Sequence, residues 1–71
     1  MDEAARLEAA RLIGGIGSLE ENIEHWKREL AIETHPECRK LFIDNIRSDE
    51  EQIVWYQERL QKLQEGPGRH A

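Results

Sequence analysis

The chain has 71 residues, a formal net charge of −5 and a single cysteine, Cys38. That length holds one small domain, and a lone cysteine excludes an intrachain disulfide to staple it. The acidic balance disfavours nucleic acid or an anionic membrane as partner, since both reward clustered Lys and Arg. No apolar run approaches the roughly 18–20 residues needed to span a bilayer. The acidic start Met1-Asp2-Glu3 is followed by no apolar core of a secretory signal, so a reducing, cytoplasmic setting is expected. Charged residues make up 35% and aromatic residues 6%. That balance, rich in Ala, Leu, Glu, Arg and Gln, predicts helices rather than a sheet.

The first predicted element is carried by a spacing. Ala5, Ala9, Leu12, Ile16, Leu19, Ile23, Trp26 and Leu30 recur at alternating intervals of four and three residues. This is one continuous apolar seam on a helix of about residues 3–32. Gly14, Gly15 and Gly17 interrupt its composition and cost about 1 kcal/mol each against Ala. Ser18 with Glu21 also fits a capping box that would start a new helix there. The seam keeps its phase across the glycines, which favours a single helix. Gly15 then flanks the seam and admits a close neighbour.

A turn is expected at residues 33–35. Pro36 suits the first position of a new helix, Thr34 or His35 would cap it, and Glu37 sits favourably in its first turn. The second helix is expected over about residues 36–64, with Phe42, Ile46, Asp49, Ile53, Tyr56, Leu60 and Leu63 as its seam. Gly66-Pro67-Gly68 stops it, and residues 66–71 read as a tail. Residues 1–65 thus form one unit. A short connection makes the two helices antiparallel, which places Trp26 near Phe42, Ile23 near Ile46, Leu19 near Asp49, Ile16 near Ile53 and Leu12 near Tyr56.

Each helix of a hairpin buries only one stripe. Leu7, Ile13, Ile32, Leu41, Val54 and Trp55 fall off the two seams and need a second surface. The expected fold is therefore an all-α antiparallel helical hairpin that self-associates into a four-helix bundle, as a homodimer or higher oligomer. Its interface residues are Leu12, Ile16, Leu19, Ile23, Trp26, Phe42, Ile46, Ile53, Val54, Trp55 and Tyr56. Docking to another protein is a further partner class.

The residues with chemical potential are few. Asp49 places a carboxylate on an apolar seam, where it either sets register or binds a metal. Glu21 and His25 lie one helical turn apart, a spacing that can hold a divalent ion. His35 and Cys38 do not by themselves fill a zinc site. No nucleophile with an oxyanion donor set and no phosphate-cradling loop is present, so catalysis is not expected, nor is a cofactor.

Trp26 on the first helix, the Pro36-Glu37 start, Asn45 and the acidic Asp49-Glu50-Glu51 run resemble the encapsulated-ferritin type of subunit. The resemblance spans roughly Leu19 to Leu60. It implies a two-helix chain that dimerises into a ferritin-like bundle and binds iron between subunits, through a Glu on the first helix and Glu-x-x-His on the second. Asp49 stands for the second Glu, Gln52 stands where the His belongs, and Leu19 stands where the first Glu belongs. The expected function is a small non-enzymatic structural or interaction module. The alternative is a ferritin-like protein binding iron or another divalent metal, with Asp49, Glu21 and His25 as its ligands. A third reading is an RNA-binding bundle, similar in architecture to the Rop type.

Overall fold

The computed structural model describes residues 2–65. The chain forms two helices, α1 over Glu3–Ile32 and α2 over Pro36–Glu65, packed side by side as an antiparallel hairpin. The proposed tail, residues 66–71, lies outside the described residues. Each helix has 30 residues, about 45 Å at 1.5 Å per residue. The hairpin measures 56 × 18 × 12 Å.

Helix α1 starts where its chemistry says it should. Asp2 is the N-cap, and its Oδ1 accepts a hydrogen bond from the Ala5 amide at 2.8 Å. The helix then runs through Gly14, Gly15 and Gly17 without a break. The capping-box start at Ser18 is not used, because burying an unbroken seam outweighs the glycine cost.

The turn is held by three side chains. Glu33 Oε2 accepts from the amides of Thr34 and His35, both at 3.1 Å. His35 caps α2: its Nδ1 accepts from the Glu37 amide at 3.2 Å, and its carbonyl accepts from the Arg39 amide at 2.9 Å. Arg39 reaches back across the turn. Its Nη1 donates to the carbonyls of Leu30 at 2.8 Å and Glu33 at 2.9 Å. A guanidinium thus satisfies carbonyls at the end of α1 that have no partner within the helix, and its charge matches the negative end of the helix dipole.

The two seams face each other. Leu12 and Ile23 are the buried core, each only 8% exposed. Ile16, Leu19, Trp26, Phe42, Ile46, Ile53, Tyr56, Leu60 and Leu63 are half-buried around them. The expected register is visible in the aromatic pair: the Trp26 and Phe42 rings stack with centroids 5.3 Å apart. Farther from the turn, Tyr56 packs on Gly15. A Cβ on Gly15 would lie 2.7 Å from Tyr56 Cε2, so the missing side chain makes room for the ring. Near the open end, Arg59 clasps Glu8 across the helices, Nε to Oε2 at 2.7 Å and Nη2 to Oε1 at 3.2 Å.

No helix among the described residues is long and apolar enough to cross a membrane.

Candidate functional site

Among the described residues, the two broad faces of the hairpin are its extended surfaces. On one of them the heptad-like spacing places Ile13, Glu20 and Lys27 along the edge of α1, and Ile43 and Glu50 along the edge of α2. Between these edges runs an open groove. One stretch, of about 510 Å³, is lined by Glu20, Ile23, Glu24, Lys27, Glu50 and Ile53. A second stretch, of about 270 Å³, continues it toward the turn past Lys27, Leu30, Ile43, Ile46, Arg47 and Glu50. Its floor is aliphatic and its rim carries both signs of charge.

The opposite edge is built differently. There Glu8 is paired with Arg59, and Gly15 is covered by Tyr56. The next positions along it are Asn22, Asn45 and Gln52. Hydrogen bonding and the guanidinium charge of Arg59 hold the Glu8 carboxyl below its ordinary value of 4.5.

The residues expected at an interface divide into two groups. Leu12, Ile16, Leu19, Ile23, Trp26, Phe42, Ile46, Ile53 and Tyr56 are wholly or partly buried along the contact within the hairpin. Val54 and Trp55 are left outside it, 52% and 59% exposed. These two neighbours do not form one patch. Successive helical residues diverge by about 100°, and Trp55 sits beside Glu58, Arg59 and Lys62 with its ring against Tyr56, centroids 5.5 Å apart. Leu7, Ile13, Ile32 and Leu41 are also exposed, as the seam phase requires. Ile43 joins them, at 39% exposure. Sequence reasoning missed it, although it immediately follows seam residue Phe42, as Ile13 follows Leu12.

The metal candidates are not brought together within one hairpin. Asp49 is half-buried on the seam of α2, without an ion-pair partner among the described residues. Glu21 and His25 are exposed on the outer side of α1. His25 lies edge-on to Trp26, centroids 5.0 Å apart. No group of three or more His, Cys, Asp or Glu among the described residues is placed to hold a metal ion. His35 is engaged in capping and Cys38 is half-buried beside the turn.

The chain matches no protein-family model, no curated protein and no solved structure.

Proposed function

We propose that this chain is a small structural or interaction module, without catalytic chemistry of its own, that self-associates hairpin on hairpin into a four-helix bundle. The observation that carries this reading is the mismatch between buried and exposed apolar residues. Among the described residues only Leu12 and Ile23 are buried, while seven large aliphatic or aromatic side chains stand exposed. A two-helix unit of this size buries little surface against the conformational entropy it must offset. A second copy supplies the missing cover with the same helical surface. The aliphatic groove with its mixed-charge rim suits such a partner better than it suits nucleic acid, which would meet Glu20, Glu24 and Glu50.

Thermal unfolding across a range of protein concentrations tests the reading. An oligomer that folds as it assembles melts at a higher temperature when more concentrated. A cooperative melt with a midpoint independent of concentration overturns it.

A further inference from the structure

The hairpin has two broad faces, and a four-helix bundle needs only one of them covered. We propose that the second copy docks over the groove floored by Ile23, Leu30, Ile46 and Ile53, against the edge bearing Ile13, Ile43 and Val54. Leu41 and Trp55 then remain outside. This assignment rests on the self-association reading and adds to it which surface is used.

Desolvation separates the two faces. Covering the edge with Glu8 and Arg59 would take an ion pair out of water, together with the amides of Asn22, Asn45 and Gln52. Polar groups buried without new partners oppose association. That edge is also already closed at Gly15 by the Tyr56 ring. The opposite edge removes aliphatic surface from water instead. Ile13 and Ile43 sit directly beside the seams, 59% and 39% exposed, and Val54 extends the strip. Its basic members, Lys27 and Arg47, have long stems that can lie along apolar surface while the heads stay wet, and its charged rim is exposed. The groove rim thus carries Lys27 and Arg47 together with Glu20, Glu24 and Glu50. A second copy therefore brings bases for acids, as charged flanking positions do in coiled coils.

The dimensions agree with a second copy as occupant. A face 56 Å long and 18 Å wide offers about 800–1,000 Å², the share that each partner contributes to a standard stable interface. No segment of the chain between α1 and α2 is long enough to fold back over it, since the two helices are separated only by Glu33, Thr34 and His35.

The test combines sedimentation equilibrium with methyl NMR on the full chain. The doubly substituted Ile43→Glu, Val54→Glu chain should dissociate at least about a hundredfold more readily than wild type. The Leu41→Glu, Trp55→Glu chain should keep the wild-type association. Because a dissociated hairpin can also unfold, the wild-type protein is probed directly with a soluble paramagnetic relaxation agent. The methyls of Ile13, Ile43 and Val54 should be shielded, and those of Leu7 and Leu41 bleached. An assembled wild type with Leu41 shielded and Ile43 bleached overturns the face assignment alone. A wild type that sediments as a folded monomer overturns the assignment and the self-association reading together.

Discussion

Three glycines lie within one turn of α1, and the structure assigns them different consequences on substitution. An added Cβ meets nothing within 4 Å at Gly14, whereas at Gly15 it would lie 2.7 Å from Tyr56 Cε2 and 3.2 Å from Cδ2. Replacing a helical glycine by alanine in open space gains about 1 kcal/mol, from reduced chain entropy and better helix propensity. Gly14→Ala should therefore raise the melting temperature by about 4–8 °C for a domain of this size. Gly15→Ala has the same intrinsic gain but must displace a ring held between the helices. Overpacking of this kind costs about 1–3 kcal/mol. The net change should run from neutral to a loss of about 2 kcal/mol. The two alanine variants, melted at one protein concentration, should then differ by at least about 1 kcal/mol with Gly14→Ala the more stable. Adding Tyr56→Leu to each variant checks the mechanism. The penalty at Gly15 should shrink, and the gain at Gly14 should not change, since only one of the two sites touches the ring. Equal stabilisation at both positions, or a Gly15 penalty that survives loss of the ring, would refute the close-approach argument.

Three further perturbations follow from single contacts. Asp49→Leu should stabilise the protein by about 1–2 kcal/mol, because a half-buried seam carboxylate gives way to apolar burial; thermal melts with and without chelator check it, and a chelator-sensitive wild type whose sensitivity the substitution removes would point to a metal instead. Arg39→Met should cost about 1–2 kcal/mol by leaving the Leu30 and Glu33 carbonyls without their donor, read as a loss of melting temperature together with faster amide exchange at the end of α1. The Glu8 carboxyl titrates below its ordinary 4.5 in the folded state because Arg59 donates to it. Its contribution to stability is therefore complete above 4.5 and is lost as pH falls through the lowered value. Melting curves of wild type and Glu8→Gln should thus converge on the acid side, and a gap that persists in strong acid would contradict the pairing.

Much of the fold was legible because an apolar seam is a one-dimensional signal. The four-three spacing from Ala5 to Leu30 survives the glycines, and α1 is one helix for that reason. Pro36 fixed the turn, and the turn fixed the register that stacks Trp26 on Phe42. Contacts made by long polar side chains were not legible. Arg39 and Glu37 look equivalent as charges near a turn, and only three-dimensional placement shows the guanidinium bridging back to α1. Glu8 and Arg59 lie at opposite ends of the chain, and neither marks itself until the register is set. Val54 and Trp55 are neighbours in sequence, yet the step of about 100° in a helix sends their side chains to different sides. Within one hairpin the candidate metal ligands are not brought together, on the same ground. Glu21 and His25 share a helical face, but it is the outer one, and Asp49 belongs to the seam.

As proposed above, the hairpin is half of a larger core. Sedimentation equilibrium of the purified chain, with circular dichroism on the same samples, tests it most directly. A helical species at twice the chain mass of 8.3 kDa, or a higher multiple, is expected throughout the micromolar range. A species of single-chain mass that remains fully helical and unfolds cooperatively on dilution would contradict it.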